Sequence, residues 1–195
     1  MAETETRTEQ QAPDVAETDE EKPKRRRITK RKAVEEHVRS YFDALARRDV
    51  DAMVEHWSPD GVEDIVPVGV LRGPAEIKAF FEGVIAAVPG AETTVSRVVA
   101  GERQAAVEWR MTGYFTGAPF QGIDPTGRRV EIRGLDMLEV EDGLIVSNTA
   151  YYDGASFARQ VGMLPPVDSS AERAMKSAFN AVTKVRRAIS ERSGS

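Results

Sequence analysis

The chain contains no cysteine among its 195 residues. That absence excludes structural disulfides, thiolate nucleophiles and cysteine zinc sites, so the fold rests on its core alone and suits a reducing compartment. Long apolar runs are missing too. No stretch approaches the roughly 18 to 20 consecutive apolar residues that a membrane-crossing helix needs. The acidic start lacks the basic-then-apolar order of a secretion signal, so the expected location is cytoplasmic. Aromatics are sparse, at 7%, and the two histidines, His37 and His56, stand in no ligand spacing, so no metal is expected. There is no glycine-rich phosphate loop, no Gly-x-Ser-x-Gly turn and no internal repeat. Nucleotide and acyl-enzyme chemistry therefore drop out, and no cofactor is implied.

Charge is present but segregated beneath a net value of -5. Residues 1–21 hold eight acids against Arg7, residues 22–32 hold eight bases and no acid, residues 33–167 carry a net -9, and residues 168–195 a net +3. The acidic block and the run Lys22, Lys24, Arg25, Arg26, Arg27, Lys30, Arg31, Lys32 bury too little apolar surface to offset chain entropy. The first 32 residues are expected to be a disordered tail. Such a basic run could anchor nucleic acid or an anionic membrane surface. It has no interleaved aromatics and an acidic block in tandem, so a solvated tail or a loose internal charge pair is the stronger reading. Specific nucleic-acid recognition is not expected, and membrane-surface contact is the lesser alternative.

Between 33 and 167 the apolar period changes from helical to extended. Val34, Val38, Tyr41, Phe42 and Leu45 recur at helical spacing, and Asp49-Val50-Asp51 opens a second short helix carrying Met53, Val54 and Trp57. Val62, Asp64, Val66 and Val68 alternate with Glu63 and Ile65 as in a short strand; Gly73-Pro74 then starts a third helix with Ile77, Phe80, Phe81, Val84 and Ile85. Strands are predicted near 92–100, 104–115, 129–141 and 144–153, with turn chemistry at Asp124-Pro125-Thr126-Gly127 and a tight hairpin at Glu141-Asp142-Gly143. Early helices and late strands predict an α+β fold with helices on one face of a curved antiparallel sheet, which makes a pocket. After Pro165-Pro166, Ala171, Ala174, Met175, Ala178, Val182, Val185 and Ile189 mark an amphipathic basic helix. It could pack on the domain, lie on a membrane or pair with another subunit, and packing within the protein is the default.

Val38-Arg39-Ser40-Tyr41-Phe42-Asp43-Ala44-Leu45, Asp49-Val50-Asp51, Arg72-Gly73-Pro74-Ala75-Glu76-Ile77 and Pro125-Thr126-Gly127 resemble the nuclear-transport-factor-like superfamily. Glu141-Asp142-Gly143-Leu144-Ile145 and Phe157-Ala158-Arg159-Gln160-Val161-Gly162 are similar to its SnoaL-like polyketide cyclase branch. The resemblance spans about residues 33–166 and implies a cone-shaped α+β barrel and a homodimer through the sheet.

Three polar residues on apolar rows are the catalytic candidates: Tyr41 on the first helix, Asp64 with Val62, Val66 and Val68, and Asp136 with Val130, Ile132, Leu138 and Val140. A carboxyl in an apolar row must be raised in pKa, hydrogen-bonded or paired with a cation. A carboxylate beside a ketone can abstract an α proton, while a carboxylic acid and a phenol donate to the developing enolate oxygen. Ketosteroid isomerase is the established example of that division. Val62-Glu63-Asp64 resembles the isomerase strand that supplies the base, with Ile65-Val66 inserted before Pro67-Val68-Gly69; Tyr41 and Asp136 fall where the isomerase oxyanion donors lie. The cyclase branch fits less well: it is expected to carry a base aspartate where Ala150 stands and a pocket histidine where Asp136 stands.

The resemblance thus implies proton transfer next to the ketone of a hydrophobic steroid- or polyketide-like substrate. Trp57, Phe80, Phe81, Trp109, Tyr114, Phe115 and Tyr152 are the candidate walls. The alternative is a non-catalytic ligand- or partner-binding module with charged tails. Convergence of Tyr41, Asp64 and Asp136 on one cavity would favour catalysis, and an outward Asp64 would favour the module.

Overall fold

The computed structural model describes residues 21–193. Its elements run α1 (Glu21–Ala46), α2 (Val50–Val54), β1 (Trp57–Ile65), β2 (Gly69–Arg72), α3 (Gly73–Ala87), β3 (Glu92–Ala100), β4 (Gln104–Tyr114), β5 (Arg129–Glu141), β6 (Leu144–Tyr152), α4 (Gly154–Val161) and α5 (Ser170–Ser193). The six strands form one sheet in the order β2-β1-β6-β5-β4-β3, with β1 parallel to β6 and every other neighbour antiparallel. The α+β class holds. The sheet curves without closing, and β2 and β3 are its edges. Register shifts in β1, in β3 and between β5 and β6 are points where an extra residue bends a strand.

The helices form where the apolar stripes lie. Val34, Val38, Tyr41 and Phe42 of α1 are buried and join Met53, Trp57, Ile77, Val107, Leu138 and Ile145 in the main core. Asp49 caps α2 by accepting a hydrogen bond from the Ala52 N–H at 3.0 Å. In α3, Pro74 sits in the first turn, and the Arg72 N–H donates to the Glu76 carboxylate at 2.7 Å. The second helix is shorter than the sequence suggests, because Trp57 already belongs to β1.

The expectation for the N-terminal end needs both correction and restriction. Of the first 32 residues, expected to be disordered, 1–20 lie outside the described residues, while 21–32 continue α1 as helix. Residues 24–33 are exposed. Lysine and arginine are good helix formers, and a helix already nucleated on the core at Val34 extends at one hydrogen bond per residue added. The helix α4 was not anticipated; Asp153 caps it by accepting from the Ser156 N–H at 2.9 Å, and Gly162 ends it in the left-handed conformation at φ 88°. No helix among the described residues is long and apolar enough to cross a membrane.

Candidate active site

Alternation along the strands decides what faces the helices. Glu63 and Ile65 of β1, Asn148, Ala150 and Tyr152 of β6, Ile132 and Asp136 of β5, and Trp109 and Met111 of β4 share the inner face. Phe42 and Leu45 of α1, Phe80, Phe81 and Val84 of α3, Phe120 of the β4–β5 loop and Phe157 of α4 close over it. The cavity between them measures about 120 Å³. That is somewhat below the roughly 150 Å³ of a cavity known to take up benzene, so in this conformation the space is no more than about one ring of a ligand. Its wall is apolar except for Thr93, Tyr152, the Trp109 indole and two carboxyls, those of Glu63 and Asp136.

The carboxyls are held by one amide. Asn148 Nδ2 lies 3.1 Å from both oxygens of Glu63 and donates to Asp136 Oδ2 at 2.9 Å, while Trp109 Nε1 donates to Asp136 Oδ1 at 2.7 Å. Strand register explains the cluster. Glu63 pairs with Asn148 across β1 and β6, and Asn148 and Trp109 both reach Asp136 from diagonal positions, their direct partners being Leu138 and Gly134. Gly134 is what lets the indole lie flat on β5, since a Cβ there would stand 2.2 Å from the ring. Asn148 Oδ1 is buried with no donor among the described residues.

Burial separates the protonation states of the two acids. Asp136 is pushed up to about 6 by burial, against the pull of the Trp109 and Asn148 donors, which favour its ionised form. Glu63 rises well above the usual carboxylate range, first through burial and then through the nearby charge of Asp136, with the Asn148 donor as a partial offset. Of the two, Glu63 is the acid held more strongly in its protonated form, and Asp136 ionises as pH rises through about 6. Tyr41 lies buried behind them, its phenol raised by burial and by the charges of Glu63 and Asp136, so it stays neutral.

The structure brings together only part of the predicted set. Asp136 is in the wall and Tyr41 is beside it in the core, but Asp64 alternates with Glu63 and faces away from the cavity, opposite Val70 of the edge strand. The reason is that Val66 and Val68 lie in the turn after β1, 52% and 36% exposed. The alternation Val62, Asp64, Val66, Val68 therefore counts turn residues as strand, whereas the buried row is Gly61, Glu63, Ile65. Of the candidate walls, Phe80, Phe81, Trp109 and Tyr152 line the cavity. Trp57 is core, edge-on to Tyr41 at 6.1 Å between centroids; Phe115 is buried with Val88, Val130 and Val161; and Tyr114 is 58% exposed. Glu63 and Asn148 were missed, along with Phe42, Met111, Phe120, Ile132 and Phe157. His37 and His56 lie tilted against each other, 4.9 Å between ring centroids; His37 bonds to the His56 carbonyl, and His56 to the Ala52 carbonyl and to Ser40. Among the described residues no cluster of metal-ligating groups exists.

Comparison with known proteins gives a family and a shared fold. Residues 38–148 match the model of the SnoaL-like domain family. Similar solved structures include AclR, a candidate hydroxylase of Streptomyces galilaeus, at 24% identity over 78% of this chain and 95% of that one, with a TM-score of 0.62. A candidate SnoaL-like polyketide cyclase of a Jannaschia species is 20% identical over 69% and 95%, at 0.63. A Catenulispora acidiphila protein of ketosteroid isomerase-like fold, solved with trimethylamine, is 19% identical over 69% and 97%, at 0.56. At these identities what is shared is the fold. No protein of curated function matches the chain.

Proposed function

Because the chain belongs to the SnoaL-like domain family, we propose that its cavity binds a hydrophobic cyclic enone and moves a proton from the carbon next to the carbonyl to the far carbon of the neighbouring double bond. The observation that carries this reading is the pair of buried carboxyls, Glu63 and Asp136, bridged by Asn148 in an otherwise apolar wall. Asp136, ionised and held by two donors, takes the proton from the carbon next to the carbonyl. Glu63, protonated, gives its proton to the carbonyl oxygen as the enol forms. Collapse of the dienol returns the oxygen proton to Glu63 and shifts the double bond into conjugation, and Asp136 delivers its proton to the γ carbon, so the enzyme ends as it began. Tyr41 acts as a positioning residue behind Glu63. The roles differ from the sequence expectation, in which Asp64 was the base and Asp136 the protonated donor.

Steroid- and polyketide-like ketones are the substrate classes in view, one ring seated in the cavity and the remainder towards its mouth. The exposed row Leu135, Met137 and Tyr151 on the outer face of the sheet supports a homodimer through that face. The test is isomerisation of unconjugated cyclic enones followed by ultraviolet absorbance. Asp136→Asn should abolish turnover, Glu63→Gln should slow it by about 10²- to 10⁴-fold, and kcat/KM should rise through pH about 6 as Asp136 ionises. Turnover unchanged in both variants would remove the carboxyl pair from the chemistry. The outward Asp64 favours a second reading, a ligand-binding module. It would appear as saturable binding of the same ketones, by fluorescence of Trp109, with no isomerisation.

A further inference from the structure

Helix α5 lies beyond the family match, and every residue from Arg173 to Glu191 is exposed. Its large apolar side chains are among them: Met175 at 43%, Phe179 at 70% and Val182 at 51%. The first turn is fixed to the domain, because Glu172 accepts from the Asp168 N–H at 2.9 Å and pairs with Arg159 and Lys176. The helix therefore leaves the domain in a set direction with its apolar stripe uncovered.

The stripe has the spacing of a two-helix seam. Ala171, Met175, Ala178, Val182, Val185 and Ile189 follow intervals of four and three without a break. Ala174, Ala181 and Ala188 recur every seven residues along one flank, where small side chains let a second helix come close, and Glu172, Phe179 and Arg186 recur along the other.

We propose that α5 pairs antiparallel with α5 of a second copy of this chain. In the register of greatest overlap, Ala171 meets Ile189 of the partner subunit, Ala178 meets Val182 of the partner subunit, and Met175 meets Val185 of the partner subunit. No charged residue enters the seam. Two small-to-large pairings result, where a parallel pair would stack Ala171 on Ala171 and Ile189 on Ile189 and leave voids at one level and crowding at another. On one flank the same register brings the two copies of Phe179 together, while Glu172 stays buried against its own domain. Antiparallel alignment also sets the helix dipoles head to tail and separates the clusters formed by Lys184, Arg186 and Arg187. An anionic membrane would draw on the same basic residues, but two of the six seam residues and all of one flank are alanine, which contributes little to insertion. The contact is distinct from any through the sheet.

The absence of native cysteine makes the test direct. In the full chain, Ala181→Cys, next to the two-fold axis, should give a covalent dimer under mild oxidation, and so should the double variant Ala171→Cys with Ile189→Cys. Asn180→Cys, at the same level on the outer face, and Ile189→Cys alone should not. Adding Val182→Asp to Ala181→Cys should abolish the crosslink while the circular dichroism of the domain persists. The proposal is overturned if Ala181→Cys crosslinks no faster than Asn180→Cys. It is overturned equally if Ile189→Cys alone crosslinks, which marks a parallel pair, or if α5 is protected only on vesicles of anionic phospholipid. These readouts are independent of turnover, so they stand or fall separately from the isomerase reading.

Discussion

Glu63 and Asp136 share a single hydrogen-bond donor, the Asn148 amide, which reaches both from the strand that separates them. Removing it with Asn148→Ala leaves two buried acids with less to hold them. The expected cost is about 1 to 3 kcal/mol of stability, the penalty for unpairing buried polar groups. The pH at which activity rises should also move above 6, because one of the donors that favours ionised Asp136 is gone. Urea melts and a pH–rate profile measure the two effects.

The acid pair should also destabilise the fold as it ionises. Asp136 has a folded pKa of about 6 against an ordinary 3.8, so the folded state binds that proton more tightly than the unfolded chain. Its contribution to stability is full below about pH 4 and is lost as pH rises through 6, amounting to ~3 kcal/mol. Glu63, raised further, extends the loss to higher pH. Asp136→Asn removes the effect, so the stability of the variant minus that of the natural chain should increase from pH 4 to pH 7 in paired denaturation curves.

Gly134 is expected to be intolerant for a reason that burial alone would not reveal. Gly134→Ala places a methyl into the Trp109 ring and must swing the indole off Asp136. The Trp109 fluorescence should shift and turnover should fall, while the strand, whose φ at this position is ordinary, keeps its pairing by circular dichroism.

Asp64→Asn should be silent. The residue is half-buried on the face away from the cavity, and turnover within a factor of two of the natural chain is expected, beside the large loss in Glu63→Gln. Measuring the two neighbours side by side settles which parity of β1 serves the site.

Much of the architecture was legible because it rests on period. The stripe Val34, Val38, Tyr41, Phe42 gave α1, and four long alternating runs gave β3 to β6. The site was less legible. Asp136 could be read because its strand is long and alternates cleanly on both sides of it. Glu63 could not, because β1 carries Val62 on its outer face beside Asp64, and the turn at Val66–Val68 prolonged the wrong row. Asn148 gives no sign in sequence: an amide amid Ser147, Thr149 and Tyr151 looks like any polar strand residue until β1 is laid parallel to β6. The helical start of α1 was hidden for a different reason. Composition reports how little a segment can bury, not that a neighbouring docked turn can carry it along.

That parallel pairing has a consequence during synthesis. β1 is made early, yet its central partner β6 emerges from the ribosome some eighty residues later, and hydrogen bonds between such distant segments make high contact order and slow folding. Until then the nascent chain lacks Asn148, the bridge between Glu63 and Asp136, and the β6 part of the cavity wall. A fragment ending before Leu144 would own both acids and still be unable to hold them side by side.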